Sequence, residues 1–441
     1  MGTASATTIA GGCIAAAACA AALAVASQAP TGLAASPRRI EQPLSYPDAV
    51  RLAKQASFGP SVDLVVHLVQ VGPEAWLDEQ FAAKESSYTD LATLVVPRNY
   101  CSGKTGADLA VCNRDYFSST PVAMRFYADA VGRQDQLRQR VAWSLSQILV
   151  ASDAKVKSTA GLATFQQIFL DNAFGNYRDI LKAVTLSPYM GDYLDLADSN
   201  RTAPNENYAR ELMQLFSLGV SQLNADGTLR RDESGAPIPT YTSTDVREIA
   251  RALTGWTYAR IGNAAANDSQ RLDYSRPMVR VLVPSEYGAK TFLGRTVPAG
   301  AGQEESVDAV IDAVFDHANT APFVSSRLIQ HLVTSNPSPQ YVERVAKVFA
   351  DNGEGSGATS RPSCARFCSI PRRASRPIRR ARARSRSRSC SRSAWPGSSA
   401  CERTATPSPP AMPALASRSS ARRPSSTSIR RTTRCRWAKI W

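Results

Sequence analysis

The densest run of polar side chains that could do chemistry lies at residues 204–212, PNENYAREL. Pro204 suits the first turn of a helix. Within that helix Asn205, Glu206, Arg210 and Glu211 lie close together, and the spacing of four places Glu206 and Arg210 on one side. Carboxylates arranged in this way can act as general acid and base or hold a divalent cation.

A second run of the same form follows at residues 241–256, YTSTDVREIARALTGW. Thr242 and Asp245 match a variant of the capping box at a helix start, and Glu248 and Arg251 lie one turn apart. The candidate site therefore comprises seven residues from two helices: Asn205, Glu206, Arg210, Glu211, Asp245, Glu248 and Arg251. The alternative is an ion-pair network that is buried and locks the two helices in register.

Neither helix carries a nucleophile or a histidine at a useful spacing. The chain has no HExxH, no GxSxG with His and Asp partners, no P-loop and no dinucleotide-binding fingerprint. It has three histidines: we interpret His317 as a helix cap and His331 as a packing residue, and His67 lies on an amphipathic helix with no partner in sequence. The sequence therefore predicts no metal site and no cofactor.

The elements that must position these residues are helices, because apolar residues recur at helical spacing nearly throughout residues 45–353. Leu137, Val141, Leu145, Ile148 and Leu149 form one such stripe, and Val246, Ile249, Ala250 and Leu253 form another. On the first candidate helix, predicted from 203 to 218, we expect Tyr208, Leu212, Leu215 and Phe216 to be buried.

The fold class is all-α, a multi-helix bundle-like domain. Long loops are inserted at 224–239 and 259–302, with a small β-hairpin.

Charge divides the chain near residue 353. Residues 354–441 contain 20 Arg and one Lys against Glu354 and Glu402, whereas residues 1–353 contain 31 basic and 35 acidic residues. The net charge of +15 thus comes from an Arg/Ser/Pro-rich tail with sparse apolar residues, which we expect to be disordered. Such a tail could bind the phosphates of a nucleic acid. We disfavour that function because the tail has the composition of GC-rich DNA translated out of frame.

The genetic code supports this hypothesis. Codons for GDLKAVVRAILLDPEA, read one base later, encode ATSRPSCARFCSIPRR, which is residues 358–373. Codons for VFNFYSPDYAVPLGENL likewise shift to residues 425–441. We therefore expect that one base has been lost near codons 353–357.

The first 29 residues resemble a signal peptide, and residues 30–44 form a linker. The apolar run from Cys13 to Val25 is too short to span a bilayer, and Ala24-Val25-Ala26 offers a small-residue cleavage site. The alternative is a wrongly assigned start codon. Export agrees with a disulfide between Cys101 and Cys112, which bound a polar, Gly-containing segment that we expect to be a loop. The alternative is that Cys101 and Cys112 are two free thiols.

Five strings resemble the bacterial domain-of-unknown-function 1800 family over about residues 45–353: DQLRQRVAWSLSQILVAS (135–152), LDNAFGNYRDIL (170–181), PNENYARELMQLFSLG (204–219), DVREIARALTGWTY (245–258) and FVSSRLIQHLVTSNPSP (323–339). The resemblance implies an exported, mostly helical protein with no established reaction. It also implies a possible protein partner, because the genes of this family often neighbour those of the sulfatase-like domain-of-unknown-function 1501 family. Many members have a His-Asp pair shortly before a lysine, whereas this chain has Ser285 and Glu286 before Lys290.

The sequence thus favours an exported, helical bacterial protein, periplasmic or extracellular, that acts with a protein partner in the cell envelope and has no transmembrane span. The first alternative is a hydrolase that uses the carboxylates of the candidate site. Binding of nucleic acid through the tail is the second and is disfavoured.

Overall fold

The computed structural model describes residues 44–281 and 285–351. The predictions for the leader, for residues 30–43 of the linker and for the disorder and reading frame of the tail lie outside the described residues. Within them, fourteen α-helices account for most of the regular structure: α1 Tyr46–Ala56, α2 Val62–Ala82, α3 Thr89–Ala92, α4 Gly106–Tyr116, α5 Thr120–Gly132, α6 Gln136–Ile148, α7 Thr159–Asp171, α8 Tyr177–Thr185, α9 Pro188–Tyr193, α10 Glu206–Glu211, α11 Ser243–Ala252, α12 Gln303–Phe315, α13 Thr320–Leu332 and α14 Pro339–Ala350.

Six short strands interrupt the helices: β1 Trp256–Thr257, β2 Ala259–Arg260, β3 Leu272–Asp273, β4 Val279–Arg280, β5 Lys290–Phe292 and β6 Arg295–Val297. They pair as three antiparallel two-stranded sheets, β1 with β4, β2 with β3 and β5 with β6. In the last of these, a tight hairpin, Lys290 lies opposite Val297. The predicted all-α class with inserted loops is therefore confirmed, and the segment after α11 holds three small sheets where we expected one hairpin.

Most helix starts follow from local chemistry. The Ser45 and Ser61 hydroxyls accept hydrogen bonds from the first turns of α1 and α2, and Asn176 does the same for α8. The predicted break at Gly72-Pro73 appears as a kink inside α2, where Gly72 has a φ of 81°. This left-handed conformation, followed by a proline, stops a regular helix from continuing.

Two local predictions were wrong. The segment between Cys101 and Cys112 is not all loop, because α4 begins at Gly106 and carries Cys112 on its buried side. The predicted helix 203–218 is α-helical only over α10 and continues as a π-helix from Leu212 to Ser217. A π-helix has more residues per turn, which rotates the apolar face. Leu215, predicted to be buried, is consequently 43% exposed, and Met213 is buried.

The main core cluster includes the predicted stripes of α6 and α11, and a smaller second cluster joins α13 to α14. Tyr177 and Tyr208 are fully buried in the main cluster, and each hydroxyl is satisfied. The Tyr177 hydroxyl donates to the carbonyl of Phe216, and the Tyr208 hydroxyl lies 2.7 Å from the hydroxyl of Thr185. These bonds fix how α8 packs against α10 and the π-helix, because a buried hydroxyl without a partner is costly.

Buried polar groups at the start of α6 hold the end of α2 and the segment 83–88 that follows it. The Asp135 carboxylate accepts hydrogen bonds from the backbone N–H groups of Glu85 and Ser86, at 3.0 and 2.8 Å. The Arg138 guanidinium donates to the carbonyls of Phe81 and Ala83 and stacks on the ring of Phe174. This arrangement gives a structural reason for the polar start of the string 135–152.

Among the described residues, no helix combines the length and the apolar character needed to cross a membrane.

Candidate functional site

The first candidate helix presents its charges to solvent. The side chain of Asn205 caps α10 by accepting a hydrogen bond from the N–H of Asn207 at 2.9 Å. Glu206 and Arg210 form an ion pair at 3.0 Å, and each side chain is nearly half exposed. Exposed pairs of this kind stabilise a protein by less than about 1 kcal/mol, because water screens both charges. The Glu206 carboxylate is therefore exposed to water and paired with Arg210.

Glu211 differs from the other acidic residues of the candidate set. It lies at the junction of α10 and the π-helix and is partly buried, and within residues 44–281 and 285–351 its Oε2 atom has no hydrogen-bond partner. Tyr241 is close enough to Glu211 and Arg210 for both charges to act on its phenol, whose pKa is raised mainly by burial. A carboxylate oxygen that is shielded from water and unpaired is unusual, and π-helical turns are frequent at functional positions.

Asp245 on the second candidate helix has a structural role. Its Oδ2 atom accepts from the backbone N–H and the hydroxyl of Thr242, at 2.8 and 2.7 Å, which completes the predicted capping box of α11. Its Oδ1 atom accepts from the N–H of Leu293 at 2.8 Å, in the turn of the β5–β6 hairpin. Burial acts to raise the pKa of Asp245, but these hydrogen bonds outweigh it and the pKa lies below its usual value.

Glu248 and Arg251 belong to a cluster that sequence analysis did not assemble. Arg251 bridges Glu248 on its own helix, at 2.7 Å, and Glu286 in the loop before β5, at 3.5 Å. The hydrogen bond with Glu248 is the main cause that raises the pKa of Arg251. Glu286 also accepts from the N–H of Gly288 at 2.7 Å, the main cause that lowers the pKa of its carboxyl.

Lys290 completes this cluster and is only 1% exposed. Its Nζ atom donates to the carbonyl of Gly288 at 2.9 Å. Burial lowers the pKa of the amine, while Glu286 and Glu248 act in the opposite direction. The available signal for this residue was the family motif, of which this loop keeps Lys290 but not the His-Asp pair, because nothing in composition or spacing marks a lysine as buried.

The seven predicted residues do not form one constellation in the described contacts. α10 and α11 pack against each other. However, Arg210 pairs with Glu206 inside α10, and Arg251 pairs inside α11 and with the following loop. Within the described residues, no group of three His, Cys, Asp or Glu side chains is placed to hold a metal ion. The arrangement offers ion pairs and, at Glu211, one buried carboxylate oxygen that has no hydrogen-bond partner among the described residues.

The histidines have separate local roles. His67 lies 2.7 Å from Glu79 across the kink of α2, and Nδ1 of His317 accepts from the N–H of Asn319 after α12. His331, near the end of α13, has its pKa lowered mainly by burial, with Arg327 and Arg140 acting in the same direction.

The predicted disulfide between Cys101 and Cys112 is present, with a Cα–Cα distance of 6.0 Å. Cys101 lines an open cleft of about 750 Å³. On another side of this cleft the Tyr274 hydroxyl lies between Arg98, at 2.6 Å, and Asp192, at 2.5 Å. Burial is the main cause that raises the pKa of Tyr274, so the phenol stays protonated at neutral pH. Nothing in the sequence predicts this trio, because Arg98, Asp192 and Tyr274 are far apart in the chain.

The geometry defines a class of protein before it defines a family: a helical protein, cross-linked by a disulfide, in which most of the carboxylates of the candidate site are held by arginines or by a helix cap. A family model described as "Protein of unknown function (DUF1800)" matches residues 51–361. The chain therefore belongs to this family, as the five strings predicted. No curated protein and no solved structure matches the chain.

Proposed function

We propose that this protein is exported to the cell envelope and acts there by binding a protein partner. One observation supports binding over hydrolysis: three of the four carboxylates predicted for catalysis are already held. Glu206 and Glu248 are paired with arginines, and Asp245 caps a helix. A carboxylate whose oxygens are engaged by an arginine or by backbone N–H groups is a poor general base, because it must leave those partners before it can reach a proton on a substrate.

The partner we propose is the sulfatase-like protein of the domain-of-unknown-function 1501 family, in genomes where its gene neighbours the gene for this protein. The test is calorimetric titration of the purified full-length chain with that purified protein. We expect saturable binding in the micromolar range or tighter, as is usual for specific protein complexes. Heat changes that match dilution alone at 100 µM of each protein, a concentration of order 100 times a micromolar Kd, would overturn the proposal.

The export part of the proposal is supported by the signal-like leader and by the disulfide, since disulfides persist mainly in oxidising compartments. Fusion of residues 1–44 to alkaline phosphatase, which is active only after export, tests it in the source bacterium. We expect activity in the periplasm or medium. A fusion that remains inactive in the cytoplasm, while a matched fusion with a known signal peptide is active, contradicts export.

Glu211 favours the second candidate function, a hydrolase, because its Oε2 atom alone among the predicted carboxylates is buried and unpaired. A panel of ester, phosphate and glycoside substrates tests this alternative with the wild type and Glu211→Gln. Turnover that Glu211→Gln abolishes and Glu206→Gln retains would support the hydrolase. Equal rates in all three proteins would exclude Glu211 as the base.

A further inference from the structure

A compact pocket of about 230 Å³ lies between α6, α7 and α13, beside the start of α5. Its lining includes Trp143, Gln147, Asp153, Leu162, Gln166 and His331. We call it the Trp143 pocket. Its volume is just below the range of about 300–1,000 Å³ that is usual for drug-sized ligands, so it suits a molecule with a single ring.

The spacing along two packed helices builds two walls of this pocket. Trp143 and Gln147 are four residues apart on α6, and Leu162 and Gln166 are four apart on α7, so each pair lies on one face of its helix. α6 packs against both α7 and α13. Each of the two walls therefore presents an apolar side chain beside an amide.

Five polar side chains of the Trp143 pocket have unused hydrogen-bonding capacity: Ser119, Gln147, Asp153, Gln166 and His331. Within residues 44–281 and 285–351, none of these side chains has a hydrogen-bond partner, and the Nε2 atom of Gln147 is buried as well. Gln167 shows the contrast, because its amide accepts from the N–H of Tyr88 at 2.7 Å and donates to Asp171 at 2.8 Å. A few polar groups that converge on a mainly apolar pocket are typical of a ligand site.

The charges in and around the pocket favour a neutral ligand. Asp153 brings a carboxylate into the lining, which disfavours an anion. The pKa of His331 is lowered mainly by burial, with Arg327 and Arg140 acting in the same direction, so the imidazole is neutral at pH 7 and offers one donor and one acceptor. Because these two arginines are close enough to act on His331, they also disfavour a cation.

The polar residues of the pocket do not form a catalytic triad. Ser119, Asp153 and His331 line it together, but no hydrogen bond joins any two of their side chains in the part of the chain that the structure describes. Nucleophilic catalysis needs a nucleophile and a base within hydrogen-bond reach, with the base oriented by a third group. The arrangement therefore supports binding of a ligand rather than its hydrolysis.

We propose that the Trp143 pocket binds one ring of a neutral sugar, with its hydroxyl groups bonded to Asp153, Gln166 and His331 and its C–H face against Trp143. Each hydroxyl of a sugar both donates and accepts, which matches a lining that mixes carboxylate, amide and imidazole. An apolar ring of the same size would leave these groups without partners, which is costly. This inference goes beyond the proposed function and does not depend on the protein partner.

The test is a titration of the full-length chain with neutral sugars, followed by ligand-observed NMR. The probes are glucose, galactose, mannose, xylose, fucose and N-acetylglucosamine, each also as its methyl glycoside. We expect a Kd of roughly 0.1–10 mM for at least one of them, because a ligand with one ring has few atoms with which to gain free energy. Glucosamine, glucuronate and cyclohexanol should each bind at least about tenfold more weakly, since they add a charge or lack the hydroxyls.

Variants locate the binding in the pocket. Asp153→Asn removes a charged acceptor and should weaken binding of the sugar about tenfold, and Gln166→Met removes an amide at similar volume and should weaken it about fivefold. Asp78→Asn and Gln340→Met are the matched controls on exposed positions of α2 and α14, and both should bind like the wild type. The melting temperature of each variant shows whether its fold is intact, and the comparison of ligands needs only the wild type.

Three outcomes overturn the proposal. One is that no neutral sugar of the panel binds with a Kd below about 10 mM. Another is that cyclohexanol or a charged sugar binds more tightly than every neutral sugar, because the ligand class is then wrong. The third is that Asp153→Asn and Gln166→Met, folded like the wild type, bind the sugar as tightly as the controls do, because the sugar then lies elsewhere.

A matched disaccharide of the preferred sugar distinguishes two sources of the same chemistry. If it binds at least as tightly as the single sugar, the pocket takes the end of a glycan chain. If it does not bind, the pocket takes a free monosaccharide. The protein partner is absent from these titrations, so their failure leaves the proposed function standing, and failure to bind the 1501-family protein leaves the sugar site standing.

Discussion

The Asp135 carboxylate is fully buried and is kept charged by its neighbours. Burial acts to raise its pKa, but hydrogen bonds from the hydroxyl and N–H of Ser86, the amide of Gln139 and the N–H of Glu85 outweigh it, so the pKa is lowered. Because the pKa is lower in the folded chain than in the unfolded one, this group stabilises the fold above the ordinary Asp value. That contribution is lost as pH falls through the folded-state pKa.

We therefore expect Asp135→Asn to lower the free energy of unfolding at pH 7 by on the order of 3 kcal/mol, through lost charge-assisted hydrogen bonds. The difference from the wild type should shrink as pH falls below about 4, where the unfolded wild-type carboxyl is protonated. Denaturant titration at several pH values measures both effects. Asp78→Asn, on an exposed face of α2, is the control and should change stability by less than about 0.5 kcal/mol. A constant difference between pH 7 and pH 3 would contradict the charge argument.

Substitution of two glycines at positive φ separates the cost of backbone strain from the cost of a steric clash. Gly72, with φ 81°, has open space where a Cβ would be, whereas a Cβ on Gly255, with φ 88°, would clash with Ser285 and Gln303. Gly72→Ala should cost about 1 kcal/mol from the left-handed backbone alone. Gly255→Ala should cost several times more, because the clash adds overpacking. Thermal unfolding of the pair measures the contrast, and equal melting temperatures would show that the backbone at Gly255 relaxes.

The disulfide connects the segment before α4 to α4 itself. We expect Cys101→Ser/Cys112→Ser to lose about 3 kcal/mol, because the unfolded chain gains the freedom of an open loop of roughly ten residues. Urea unfolding of the double variant, compared with the wild type with and without reductant, measures this. The reduced wild type and the double variant should unfold at the same urea concentration. If the oxidised wild type also unfolds at that concentration, the disulfide does not contribute to stability.

Element-level prediction succeeded where local chemistry decides and failed where tertiary packing does. The capping box at Thr242 and Asp245, the break at Gly72-Pro73 and the apolar stripe of α6 depend on neighbours in sequence, and all three are present. The π-helix at 212–217 is invisible to a period of 3.6 residues. Contacts of long range, such as Glu286 with Arg251 or Tyr274 with Asp192, cannot be inferred from spacing. Spacing thus predicted the ion pairs within one helix, Glu206 with Arg210 and Glu248 with Arg251, but not the partners that come from distant segments.

At the scale of the whole molecule, residues 1–353 and the last fifth of the sequence differ in charge and in composition. Residues 1–353 are slightly acidic and carry the family match from residue 51 onward, except for its last eight residues, 354–361. The Arg-rich residues follow from 354, within a few codons of the proposed frame junction. Selection for a folded core produces the first pattern, whereas nothing in the physical chemistry of a globular domain produces the second.

We expect the gene to contain one fewer base near codons 353–357 than the ancestral sequence. Restoring that base should replace residues 358–373 by GDLKAVVRAILLDPEA and residues 425–441 by VFNFYSPDYAVPLGENL, and should remove most of the positive charge of the tail. Sequencing of codons 350–360 from several independent isolates checks this, with a second amplicon inside codons 200–260 as the control for sequencing error. Because two separated stretches regain amphipathic or apolar character in the same alternative frame, a single event explains both. An intact frame across the junction in every isolate would mean that the arginines are encoded as written, and binding of polyanions through the tail would then become the first hypothesis to test.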